Sequence, residues 1–388
     1  MTRDLRLVAL SLLIWGFGEG MFIYFQPIYL QQLGADPVQI GGILGLAAAG
    51  MLVSHLPAGA LADHIGRKTI MVSSWVIALL ATAMMALARG LPLFVAGMVL
   101  YNFTVFVMSP MSSYITQAGG EWSPARALTT VSAGFSAGMI LGPVIGGQLA
   151  EQFGLRSVYG LAAVVFVVST LLILLIRPQP VDAAHDGHRY RELLTNRRFG
   201  GFLFLIFIVN FGMYLAWPLT PNFLQAMRQV SLGQIGLLGA FTGLGTVVFN
   251  LALGHLPAKR GMLIGQALVG GAVLALWLGV GFPWYAAGYF LFAGFRTARS
   301  LITATIHALV RPTEIGLAFG ANETVAAASL MAAGPVAGVL FDRQPSLPYP
   351  VGAGLILLGL LLSAALAPNT KAELEPEPPS ERGVVGGI

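Results

Sequence analysis

The sequence predicts an all-α membrane protein: twelve transmembrane helices in two pseudo-symmetric six-helix bundles, with both termini in the cytoplasm. Three observations predict it. The chain of 388 residues is 56% hydrophobic and only 10% charged, against about 25% charged in soluble domains. It contains twelve apolar runs, each near the roughly 20 residues that cross a bilayer. The runs fall six and six around one polar stretch, 177–198. The 21 basic and 16 acidic residues are too few to coat the two or three soluble domains such a length implies. That argues against a cytosolic enzyme, a nucleic-acid binder and a secreted domain. No cysteine is present, which removes disulfides, thiolate metal sites and cysteine nucleophiles.

The first run, about 5–32, is too long for a secretory signal, contains Glu19 and Gln26, and lacks a small-residue cleavage site; it is read as a retained helix. Five more cover about 38–62, 69–88, 91–117, 125–150 and 156–176. Six follow the polar stretch, at about 199–226, 232–257, 262–281, 283–310, 314–341 and 348–367. The expected organisation is an N-terminal bundle (1–176), a cytoplasmic linker (177–198), a C-terminal bundle (199–367) and a Glu- and Pro-rich tail (368–388), expected to be disordered. Long apolar runs without alternation exclude the ~10-residue strands of a membrane barrel. With the N-terminus inside, the inner segments carry fifteen Lys and Arg and the outer loops four, Arg89, Arg156, Arg228 and Arg343. That bias sets the orientation, and the net charge of +5 reflects it rather than a basic partner.

The two halves repeat. Pro27, Leu30 and Gln31 match Pro221, Leu224 and Gln225; Ile40 and Gly41 match Ile235 and Gly236; Gly142, Pro143 and Gly146 match Gly334, Pro335 and Gly338. The offset of these pairs stays between 192 and 195. Parallel six-helix repeats joined by a cytoplasmic loop are a transporter architecture, with the site at the interface of the halves.

After the second run, residues 59–68 read GALADHIGRK. This resembles the major facilitator superfamily signature between helices 2 and 3, with only His64 departing. Gly66 permits a tight turn, and Asp63 can face a helix N-terminus. The resemblance implies that Gly59, Asp63, Gly66, Arg67 and Lys68 form a latch between the halves on the cytoplasmic side, favouring the outward-open state. The second-half copy has Ala258 in place of Asp63 and is expected to latch weakly or not at all. In the fifth run Gly134, Gly138, Gly142 and Gly146 recur every four residues beside Pro143, which lets a neighbouring helix approach closely. The stretch resembles the fifth-helix motif of drug–proton antiporters in the same superfamily; plain close packing is the other reading, and the copy at Gly334, Pro335 and Gly338 favours it. Those antiporters carry an arginine in helix 4, whereas the centre of the fourth run here is Tyr101, Asn102, Phe103 and Thr104.

Four charges fall inside spans: Glu19, Arg296, Arg299 and Glu323. Each costs about 2.5–3.5 kcal/mol at a helix centre, and such residues mark function by default. Glu19 shares a helical face with Trp15, Phe22 and Gln26. The family resemblance places helices 1, 4, 7 and 10 around the central cavity, where a carboxylate can carry a proton because low dielectric disfavours its charged form; a fixed ion pair to an arginine is the alternative. In the tenth span Tyr285, Tyr289, Phe292, Arg296, Arg299 and Thr303 form one aromatic and cationic stripe. Arg296 lies near midspan, and Arg299 sits where it can snorkel toward the cytoplasm. Glu323, beside Asn322, either pairs with one of these arginines or is a second proton site. Asn210, Tyr214 and Trp217 in the seventh span, and Asn102 in the fourth, complete a surface suited to an amphipathic organic substrate, or serve as polar glue between helices.

No histidine spacing makes a metal site, and no nucleotide-binding loop or nucleophile elbow occurs. No cofactor and no metal are expected, nor an enzyme. The expected protein is a monomeric, multi-pass protein of the cell (inner) membrane. It would be a secondary transporter working by alternating access, with the lipid bilayer, a small-molecule substrate and a proton or other coupling ion as partners. Efflux of an amphipathic compound is favoured. Uptake of a sugar, peptide or organic anion is the runner-up, and a receptor or lipid scramblase on the same scaffold is the reading of another class.

Overall fold

The computed structural model describes residues 1–54, 65–179, 197–307 and 315–367. Eleven helices among them are long and apolar enough to span a membrane. The tenth span is the remaining crossing; it lies in two pieces, each too short to cross alone.

Eight spans are single helices: Pro37–Ser54 (second), Arg67–Leu87 (third), Pro124–Phe153 (fifth), Leu155–Leu174 (sixth), Leu232–Leu253 (eighth), Ala258–Leu278 (ninth), Ile315–Arg343 (eleventh) and Pro348–Leu366 (twelfth). The other four are each interrupted, the fourth and tenth near the middle and the first and seventh toward the outer end. The first consists of Arg3–Ile23 and Gln26–Gln32, the seventh of Arg197–Leu215 and Thr220–Arg228, and the tenth of Phe282–Phe292 and Gly294–His307. The fourth passes from Leu91–Phe103 through a 3₁₀ turn, Thr104–Val107, into Met108–Ala118. The continuous stripe expected along the tenth span is therefore in two pieces, with the aromatic residues before the joint at Ala293 and the arginines after it. Side-chain caps fix several starts: Thr2 accepts from Leu5 N–H at 3.2 Å, and Ser231 with Gln234 forms a reciprocal capping box.

Packing follows the repeat. In the first bundle span 1 lies on spans 5 and 6, span 3 on 4 and 6, and span 2 on 4. In the second, span 7 lies on 11 and 12, span 9 on 10 and 12, and span 8 on 10. The bundles meet where span 2 packs on span 11 and span 5 on span 8. Polar side chains tie each bundle internally: Trp75 Nε1 donates to Ser11 and Ser169 hydroxyls at 2.9 Å, and Gln266 donates to Ser363 at 3.0 Å.

The glycines set the closest approaches. A Cβ at Gly138, Gly142 or Gly146 would run into the carbonyls of Leu13, Phe17 and Met21 in turn. That face of span 5 therefore docks on span 1 of the same bundle. The copies behave differently. A Cβ at Gly334 or Gly338 would meet the carbonyls of Gly41 and Pro37, on span 2 of the other bundle. Gly147 and Gly236 similarly let spans 5 and 8 touch, with a Cβ on either falling 2.9 Å from the other's Cα. Pro143 and Pro335 lie inside helices that run on without a break.

The outer side of the seam is closed. Asn222 Nδ2 donates to Gln31 Oε1 at 2.7 Å and to the Pro27 carbonyl at 3.1 Å. Glu151 Oε2 accepts from Ser231 Oγ at 3.0 Å and from Gly233 N–H at 2.7 Å. Toward the cytoplasm Ser109, Ser112, Ser132 and Ser300 are exposed; hydroxyls there suit a water-filled mouth better than lipid. The arrangement is inward-facing.

Candidate functional site

Glu19 lies one turn before the joint of the first span and is half-buried. Trp15, one turn earlier, donates its indole N–H to Glu19 Oε2 at 3.1 Å. The indole is held by rings from three spans: Trp75 at 4.6 Å, Phe166 at 4.8 Å and Tyr101 at 6.2 Å between centroids. The Tyr101 hydroxyl sits beside the carboxylate without hydrogen-bond geometry. The Glu19 carboxylate is thus fixed by a rigid aromatic collar, with its charge still to be met.

The opposite charge stands across the seam without closing on it. Arg296 opens the inner half of the tenth span, is exposed, and acts electrostatically on both Glu19 and Tyr24. Among the described residues no carboxylate lies within ion-pairing distance of it. Arg296 and Tyr24 line a narrow crevice between spans 1, 5, 8 and 10, together with Phe135, Ser136, Met139, Thr242, Gly243 and Thr246. The other intramembrane pair is closed. Arg299 donates to Glu323 Oε2 at 2.7 Å, and Asn322 donates to Glu323 Oε1 at 3.2 Å. Of the two arginines the sequence offered to Glu323, the structure selects Arg299.

An aromatic wall continues from the crevice. Tyr24 lies 6.2 Å from Tyr289, which lies 4.8 Å from Trp217. Trp217 stacks flat on Phe292, with centroids 3.5 Å apart and planes 3° from parallel. Phe295 and Tyr214 extend the stack. Buried polar atoms without a protein partner accompany it: Tyr289 hydroxyl, Gln26 Nε2 and Asn210 Oδ1. Isolated buried polar atoms are costly and point to water or a ligand.

Two expected site residues stand differently. Gln26 begins the outer piece of the first span, beyond the joint, where it is buried with its Nε2 unpartnered. Asn102 gives its amide to the Met98 carbonyl at 2.9 Å. In the cytoplasmic loop, Gly66 has φ +86° at the start of the third span, and Arg67 donates to Gln179 at 3.4 Å; Lys68 follows in the same first turn. Gly59 and Asp63 lie outside the described residues. Sequence reasoning missed Tyr24, Ser136, Thr242 and Thr246. Tyr24 was hidden because it reaches the crevice through the joint, not through helical spacing from Glu19.

Two repeated six-helix bundles, jointed lining spans and charges facing across a midplane seam define a membrane transporter. The chain belongs to the Major Facilitator Superfamily, whose family model matches residues 8–211 and again 202–386. It is a multi-pass protein of the cell membrane with a small-molecule substrate. It is 28% identical over 277 residues to the multi-drug resistance efflux pump PmrA of Streptococcus pneumoniae, covering 66% of this chain and 68% of that one. It is 22% identical over 374 residues to the quinolone resistance protein NorA of Staphylococcus aureus, covering 93% and 96%. Its fold superposes on a crystal structure of the nucleoside transporter NupG with a TM-score of 0.80 at 13% identity, covering 94% and 99%.

Proposed function

We propose that the protein exports a small amphipathic organic compound in exchange for protons, by alternating access, with Glu19 as the proton carrier. The observation behind this is the open pair of Glu19 and Arg296. The two belong to different bundles, so rocking changes their separation. Protonation of Glu19 removes their attraction, which biases one state over the other. The names of the relatives, a multi-drug efflux pump and a quinolone resistance protein, support export.

In this scheme a monomer suffices, and residues 1–176 and 199–367 are the rocking bodies joined by the 177–198 linker. Tyr289, Trp217, Tyr214, Asn210, Gln26 and Arg296 contact the substrate. Gly59, Asp63, Gly66, Arg67 and Lys68 latch the cytoplasmic side in the opposite state. Glu323 serves better as the partner of Arg299 than as a second proton site, because its carboxylate is already engaged. In proteoliposomes Glu19→Gln is expected to abolish pH-driven flux while substrate binding survives. Full pH-driven flux in that variant would falsify the assignment.

A further inference from the structure

We propose that the central site is built for a zwitterion, whose cationic group takes the place of the proton on Glu19 while its anionic group lies on Arg296. This rests on the exchange of a proton at Glu19 proposed above and adds the charge class of the substrate.

The first support is a contrast between the two intramembrane charge pairs. Arg299 and Glu323 close on each other at 2.7 Å. Arg296 and Glu19, with equally opposite charges, stand apart on opposite bundles, each exposed in part. An open pair of opposite charges that water reaches is a place where a ligand carrying both charges gains a partner for each. The second is the crevice lined by Arg296 and Tyr24, the latter lying in the field of both charges. The third is the buried Tyr289 hydroxyl and Gln26 amide, which lack protein partners. Aromatic rings on both bundles, Tyr24 on one and Tyr289 and Trp217 on the other, suit a flat apolar body.

Charge balance then selects among substrates. The charged and titratable groups around Glu19 are Tyr24 on its own span, Tyr101 on the fourth and Arg296 on the tenth. With the phenols neutral, the site carries no net charge when Glu19 is ionised and +1 when it is protonated. A permanent cation also competes with the proton on Glu19, but it leaves Arg296 without a counter-charge. An anion on Arg296 favours a proton on Glu19, so the two bind together, which is the coupling of uptake and not of exchange. A neutral body is indifferent to the proton. A zwitterion satisfies both charges only when Glu19 is ionised, so it and the proton exclude each other, as exchange requires.

The test is a matched series on one aromatic body: naphthylalanine, its methyl ester (cation) and its N-acetyl derivative (anion), with further triples on larger ring systems. Binding to the purified protein is read by quenching of tryptophan fluorescence, and transport by counterflow in proteoliposomes. The zwitterion of a triple is expected to bind about tenfold or more tightly than either relative, the size of a charged hydrogen bond lost, and to weaken as pH falls. In Glu19→Gln its advantage over the N-acetyl form should vanish; in Arg296→Gln its advantage over the ester should vanish; Glu19→Asp should restore the preference. Tighter binding of the ester or the N-acetyl form overturns the proposal. So does the absence of binding by every zwitterion while counterflow of some other compound proceeds. Either result leaves proton exchange at Glu19 standing, because that is judged separately by pH-driven flux in Glu19→Gln.

Discussion

Replacing Gly236 by alanine should open the outer side of the seam, whereas the same change at Gly138 should not. In the inward-facing structure a Cβ on Gly236 meets the Pro143 carbonyl, and lies 2.9 Å from Gly147 Cα and 3.1 Å from its nitrogen. Comfortable carbon contacts are about 3.5–4.0 Å. Every atom struck is main chain, so no side chain can turn aside, and spans 5 and 8 must part. Overpacking of this kind costs about 1–3 kcal/mol. Here the cost falls on the outer-closed state alone, which shifts the population by about 5–150-fold. Gly138→Ala strikes main chain too, at Leu13 and Phe17, but within one bundle, so both states carry the strain. The chain has no cysteine, so single cysteines at Gln32 and Gln229, both exposed at the outer ends of spans 1 and 7, can carry spin labels. Dipolar distance measurements should show a longer component in Gly236→Ala. In Gly138→Ala they should show the parent distribution with a lowered Tm. An unchanged distribution in Gly236→Ala, or an equal shift in both, would refute the reasoning.

The same labels test the polar part of the seal. Glu151→Gln weakens two hydrogen bonds to Ser231 and Gly233; at an exposed site the loss is about 1 kcal/mol, a roughly fivefold gain of the outer-open population. Arg299→Gln leaves Glu323 without its ion partner. Because both side chains are partly exposed, 28% and 38%, the expected cost is about 1–2 kcal/mol, seen as a lowered Tm. The double variant with Glu323→Gln should recover most of it, and a double variant no more stable than Arg299→Gln would count against the pair.

The spans, their orientation and the repeat were legible because lipid imposes length and polarity on every crossing helix. Glu19 and Arg296 were legible as charges out of place. The joints were not. Pro27, Pro110 and Pro221 each lie just beyond a break, but Pro143 and Pro335 lie within helices that run on, so proline alone does not distinguish the two cases. The tenth span breaks with Gly294 at the joint and no proline there. The glycine ladders showed that some helix comes close without showing which. Gly142 docks within its own bundle, whereas its copy Gly334 docks on the other. Likewise, Arg296 and Arg299 are three residues apart, and only the packed rotation of spans 10 and 11 decides that Glu323 meets the second.

A rigid two-body rocker has two positions, and in passing between them it is at some point closed at neither end or strained at both. Spans 1, 4, 7 and 10 are jointed, and the outer pieces Gln26–Gln32 and Thr220–Arg228 hold the seal through Asn222. The inner pieces can therefore draw together while the seal stays shut. That permits a third position, closed at both ends, in which cargo is held away from both solutions. A carrier with such a position can exchange its contents without ever presenting a continuous water path, and protons do not leak through it between turnovers.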